Sequence, residues 1–134
     1  MNMFDKMNIS GLNYAMDVSS KRNQVISENI ANVDTPNYKA KDLDFEKAMK
    51  EYFSGGNNLP LKVTDKRHIS PQNSEGNISS LIYEQNNPSL RNDGNDVNLD
   101  YEMSEMASNA VKYSMFSQIT GTEFARLKSA ITGR

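Results

Sequence analysis

The 134-residue chain has no cysteine, which rules out disulfides, thiolate metal sites and a cysteine nucleophile and leaves its redox compartment unread. Histidine is nearly absent as well: His68 stands alone beside Lys66 and Arg67, and one imidazole supplies neither a multi-histidine metal site nor a triad, so a surface loop is expected there. Long apolar runs are missing. No window of 18 apolar residues occurs and residues 1–17 hold no uninterrupted apolar core, so neither a membrane span nor a conventional cleaved signal is expected. Nor is there an excess of one charge. With 15 basic and 17 acidic side chains dispersed along the chain, nucleic acid finds no electrostatic footprint.

Phosphate loops, nucleophile elbows and zinc spacings are absent too. Asn92–Asp96 has glycine among oxygen donors, but the ligand spacing and the downstream glutamate of a calcium loop do not follow, so it reads as a turn. Asp42, Asp44 and Glu46 lie where a helix start favours negative charge, and no histidine or further acid joins them. Eight methionines, several on apolar seams, read as adaptable packing. A mean hydropathy of -0.71 with 37% hydrophobic residues leaves little for a thick core, so a single elongated unit is expected.

What is present is periodicity. Leu99, Met103, Met106, Ala110, Tyr113, Ser117, Thr120, Phe124, Leu127 and Ile131 recur at steps of four and three, and eight of these ten are apolar or aromatic. That spacing predicts a long α-helix carrying one apolar stripe, the pattern of a helix packed along another. Asn98 or Asp96 suits its first turn, Asp100, Glu102 and Glu105 complement its start, Arg126 and Lys128 its end, and Gly133 is a natural stop. Gly121 is its weakest point. A second seam runs Ile9, Leu12, Met16, Ser19, Asn23, Ile26, Ile30 and Val33 and is the expected mate. An antiparallel pairing would bring its polar Ser19 and Asn23 near Ser117 and Thr120. Periodicity alone leaves open whether the partner helix comes from the same chain or another.

The first helix must end before Pro36, because proline disfavours helical geometry at Thr35. Thr35-Pro36-Asn37-Tyr38 suits a type II turn, with asparagine tolerating positive φ at its third place. Asn29 and Asn32 flank Ala31 with amides able to bond the backbone of a neighbour. This segment resembles the N-x-A-N-x-x-T-P-G-Y-K signature of the bacterial flagellar axial proteins, the rod and hook family, matched at Asn29, Ala31, Asn32, Thr35, Pro36, Tyr38 and Lys39. Asn37 stands where the family usually has glycine. Residues 39–46, the Arg67-His68-Ile69 segment and the acidic run from Gly94 to Asp100 extend the resemblance to the flagellar basal-body rod proteins, and the short length is similar to that of the proximal-rod members.

The resemblance implies terminal helices that form an inner tube, export through the flagellar type III apparatus without a cleaved signal peptide, and location in the periplasmic rod of the basal body. It further implies other rod proteins, the rod adaptor protein and the MS ring as partners, with no cofactor, no small-molecule substrate and no catalysis. On this reading Ile9, Leu12, Met16, Ile26, Ile30, Leu99, Met103, Met106, Phe124 and Leu127 carry the assembly interface.

Between the long helices, Phe45, Ala48, Met49, Tyr52 and Phe53 share a face of a short helix that starts near Asp42 or Asp44 and ends at Gly55-Gly56, its apolar face covering the long ones. Residues 61–64 and 78–83 read as short strands that could pair as a loose hairpin. The expected fold is mainly α, with two long terminal helices packing as a coiled-coil-like pair and a short helix plus a small irregular or β segment between them. Its divisions are an N-terminal axial helix over 1–35, a middle segment over 36–97 and a C-terminal axial helix over 98–134, together one structural unit. A proximal-rod component is the expected function, and the rival is a soluble helical-hairpin adaptor or chaperone of an export system.

Overall fold

The computed structural model describes residues 9–54, 78–85 and 91–133. Its longest element is set at both ends by residues that leave a helix little choice. The Asn98 side chain accepts from the Tyr101 backbone N–H at 3.2 Å, and Gly133 closes the other end in the left-handed conformation at φ 68°, its N–H bonded to Ser129 O. Between these caps runs α3, Leu99–Thr132, 34 residues and roughly 50 Å long. Helix α1, Ile9–Ala31, lies antiparallel beside it, and this is the most extensive packing in the molecule. The expected mainly helical fold, with paired long helices, a short helix and a small sheet between them, is the one observed.

A second layer packs on α1 and reaches α3. After the turn at residues 32–38 come the short strand β1, Lys41–Leu43, and α2, Phe45–Phe53. Asp44 caps α2 by accepting from Lys47 N at 2.9 Å, and Ser54 follows its last residue. The amphipathic face read from the sequence is buried as expected: Ala48 and Met49 are fully covered, Tyr52 stacks on Tyr14 of α1 with centroids 4.6 Å apart, and Phe45 stacks on Phe116 of α3 at 5.7 Å. With Leu12, Ala15, Val18, Leu43 and Leu81 these residues form one core that α1, β1, α2 and α3 share.

One expectation for the middle segment needs correction. Ile78–Leu81 is a 3-10 turn, and only Ile82–Glu84 is a strand, β2. Its partner is β1, antiparallel, with Lys41 opposite Glu84, Asp42 opposite Tyr83 and Leu43 opposite Ile82. Leu81 turns inward to the core, and a 3-10 turn delivers it there without requiring a continuous ladder. The strand expected at 61–64, His68 and the Gly55-Gly56 stop lie outside the described residues. Among the described residues, no helix is long and apolar enough to cross a membrane.

Candidate assembly surface

The signature turn and the acidic run before α3 interlock, and that joint fixes how the two long helices meet. Tyr38 N closes the turn on Thr35 O at 3.3 Å, with Asn37 at φ 59°, the left-handed value that a type II turn demands at this place. Asn37 N then bonds Asp93 O at 2.9 Å, and Ala40 N donates to Asp96 Oδ1. Asn95, fully buried, donates through Nδ2 to the carbonyls of Asn32, Val33 and Thr35 at 2.9, 3.1 and 2.8 Å and accepts from Val97 N at 2.8 Å. Three carbonyls of the turn that follows α1 thus share one side chain from 60 to 63 residues away, in addition to the donors they have within the turn and from Arg91.

The signature asparagines are spent inside the chain, which corrects the expectation that they reach a neighbour's backbone. Buried Asn29 donates to Lys41 O at 2.7 Å and accepts from Lys41 N at 3.0 Å, mimicking a strand partner, while Tyr38 donates to the same oxygen at 3.4 Å. Asn32 returns to Glu28 O and accepts from Thr35 Oγ1. Lys39 reaches Gly94 O at 3.0 Å, and the remaining signature residues Ala31, Thr35 and Pro36 are exposed.

Charge reinforces the joint. Arg22 of α1 bonds both oxygens of Asp42 at 3.0 and 3.2 Å and Glu105 of α3 at 2.9 Å, tying the helix pair to β1 through a bidentate, half-desolvated contact. Glu102 sits beside this cluster, buried in the helix interface. Burial raises its carboxyl above the ordinary range, and the charges of Asp42 and Glu105 push the same way, against a hydrogen bond to Asn29 and the charge of Arg22.

Farther along, Asn109 donates to Ser19 O at 2.8 Å. Thus the polar residue opposite Ser19 is Asn109, not Ser117 or Thr120 as an unshifted pairing of the two seams would give. The buried positions of α3 are Glu102, Asn109, Phe116 and Thr120. Because each residue advances about 100° around a helix, the apolar stripe read from the sequence is rotated on average roughly 55° from that buried face, and the two share only Thr120. The stripe is a flank, and most of it meets solvent.

The residues assigned to an interface therefore divide. Leu12 and Ile26 are enclosed by their own chain, with Ile9, Met16 and Ile30 half-buried along the same helix. Leu99, Met103, Phe124 and Leu127 are exposed, Met106 is half-buried, and Ala110, Tyr113 and Ile131 continue the exposed stripe. Thr120 is the last buried residue of α3. Since Ser19 lies level with Asn109, Ile9 lies level with about residue 119, and the final turns of α3 run on past α1 by roughly 20 Å. Polar Glu102, Asn109 and Asn95 were missed as structural residues; the one available signal was that Glu102, Asn109 and Phe116 recur every seventh residue.

The closed helical hairpin leaves an apolar stripe exposed along its longest helix, and exposed apolar surface of this kind is typical of interaction sites. Residues 15–39 match the model of the family described as flagella basal body rod protein. The chain is 34% identical to flagellar basal body rod protein FlgB of Bacillus subtilis (strain 168) over 125 residues, 93% of each chain. It is 32% identical to the FlgB of Salmonella typhimurium over 89% of this chain and 88% of the other, and 35% identical to that of Escherichia coli (strain K12) over 75% of each. The chain belongs to the flagellar basal body rod protein family and is a structural component of the flagellar basal body, where it assembles with other rod components.

Proposed function

We propose that this chain builds the proximal segment of the rod by packing the exposed flank of α3 lengthwise against the helices of neighbouring axial subunits, so that α3 helices line a tube. The observation that carries this reading is the stripe itself: Leu99, Met103, Tyr113, Phe124, Leu127 and Ile131 stay at the surface although α1 and α3 are already paired. Head-to-tail and side-by-side contacts of that kind do not close, and repetition makes a helical array. Leu12 and Ile26 then act indirectly, by holding the hairpin that presents the stripe. The rod adaptor protein and the MS ring would lie on the membrane side and the next rod protein on the distal side, after export through the type III apparatus without a cleaved signal.

Hydrogen exchange on the purified chain, alone and mixed with candidate rod partners, tests the reading. Residues 99–119 should be protected in the free chain, residues 121–132 should exchange fast, and only the latter should slow markedly on assembly. Exchange in residues 121–132 that no rod partner slows would overturn it and favour a self-contained adaptor.

A further inference from the structure

The interlocked turn has a groove of about 910 Å³ on its flank. Its walls are Val33, Val97, Leu99 and Tyr101, and its polar members include Asp96 and Glu102. Both acids are buried. Asp96 spends Oδ1 on Ala40 N, while its Oδ2 makes no hydrogen bond and is held only by an ion pair with Lys39 Nζ at 3.7 Å. A buried carboxylate oxygen with an open lone pair beside a groove is a costly feature unless a donor arrives. Arg91, which also lines the groove, is paired with Asp93 at 2.9 Å. The groove also receives the first turn of α3, whose positive dipole end favours a negative group beyond it.

The opposite pole of the molecule is its chemical complement. Past Thr120, α3 exposes Phe124, Leu127 and Ile131 and carries Arg126 and Lys128 against one acid, Glu123. It ends at the negative end of the helix dipole.

We propose that the groove seats the C-terminal end of the long helix of a neighbouring axial subunit, with the apolar and basic chemistry that this chain shows at residues 123–131. Apolar side chains pack on Val33, Val97, Leu99 and Tyr101, an arginine or lysine satisfies Asp96 Oδ2, and the incoming C-terminus meets the α3 N-terminus with dipoles aligned. The proposal rests on the rod-assembly reading and gives it a direction, because one pole receives what the other presents.

The test is a fluorescein-labelled peptide of residues 119–134 titrated into the full-length chain and followed by anisotropy. Saturable binding is expected, weakened at least tenfold by Arg126→Glu with Lys128→Glu in the peptide, and equally by Asp96→Asn in the chain, which keeps the Oδ1 acceptor and removes the charge. Should Asp96→Asn unfold the chain, Tyr101→Glu at an exposed site serves instead and should abolish binding. The absence of cysteine allows a second readout: oxidising a mixture of full-length Val33→Cys and Leu127→Cys chains should give the mixed dimer, and Glu51→Cys in place of Val33→Cys should not. No binding, or binding indifferent to these substitutions, overturns the groove. If that happens while Leu127→Asp still abolishes rod assembly, the assembly reading stands without it; if Leu127→Asp assembles normally, the assembly reading itself falls.

Discussion

Gly94 and Asn37 face each other across the joint, both with positive φ, at 75° and 59°, and a Cβ built on Gly94 would lie 2.6 Å from Asn37 Oδ1. The position where this chain departs from the family signature is thus in contact with a second left-handed residue of the loop before α3. Gly94→Ala should cost about 1–3 kcal/mol by backbone strain and the clash. Asn37→Gly should recover the steric part and leave the strain, so a double-mutant cycle by urea denaturation should be non-additive.

Asn95 serves three carbonyls of the turn that follows α1. Asn95→Ala removes one donor from each of them, leaving only Thr35 N, Arg91 Nη1 and Tyr38 N on the carbonyls of Asn32, Val33 and Thr35, and takes the acceptor from Val97 N, so a loss of about 1–3 kcal/mol is expected. Asn95→Asp should fare no better, because a carboxylate oxygen replaces the donor Nδ2. Thermal unfolding with far-UV circular dichroism measures both, and wild-type stability in either variant would contradict the network.

The two halves of the apolar pattern should separate cleanly in mutation. Leu12→Asp buries a charge in the core and should cost about 3 kcal/mol or more, with the loss of helix visible in the free chain. Leu127→Asp should leave the isolated chain within about 0.5 kcal/mol of wild type yet abolish rod assembly and motility. Normal motility in that variant would sink the exposed flank as an interface.

Glu102 predicts a pH dependence. Its carboxyl is raised by burial, reinforced by Asp42 and Glu105, against Asn29 and Arg22. A folded value above the unfolded one means that the folded chain binds the proton more tightly. The stabilising contribution is therefore fully present below the unfolded value and is lost as pH rises through the folded one. Glu102→Gln keeps an acceptor for Asn29 and removes the charge, so it should raise the melting temperature at neutral pH and flatten the slope of stability against pH in the window just above the ordinary carboxylate range. A lower melting temperature at pH 7 would show that the Arg22 interaction outweighs burial.

The parts legible in the sequence were those whose cause is local. Asn98 and Gly133 mark α3 because caps act within a turn of themselves, Asp44 marks α2 for the same reason, and the positive φ at Asn37 follows from its place after Pro36. The rotation of α3 against α1 was not legible, because Glu102 and Asn109 count as solvent-facing in any hydropathy pattern. They are buried only because Asn29 and the Ser19 carbonyl lie opposite, which no spacing reveals. The same holds for β1 and β2, three residues each, whose pairing across 40 residues is set by where the signature turn points the chain. The asparagine signature was readable as a motif, but its amides were assigned outward because the sequence does not show Lys41 folding back on Asn29.

Gly121 should be replaceable at no steric cost. Nothing lies within 4 Å of a Cβ placed there, so Gly121→Ala should stabilise α3 by about 1 kcal/mol, measurable by thermal unfolding of the free chain.

That same glycine follows Thr120, the last buried residue of α3. Up to that level the helix is splinted by α1; beyond it, among the described residues, α3 has no fully buried position. Bending stiffness therefore drops at one residue rather than gradually, and compliance is concentrated at a single joint. The last turns can swing to fit neighbours set at slightly different angles while the splinted part keeps its shape. Alanine at Gly121 would make a more stable chain and a less forgiving one.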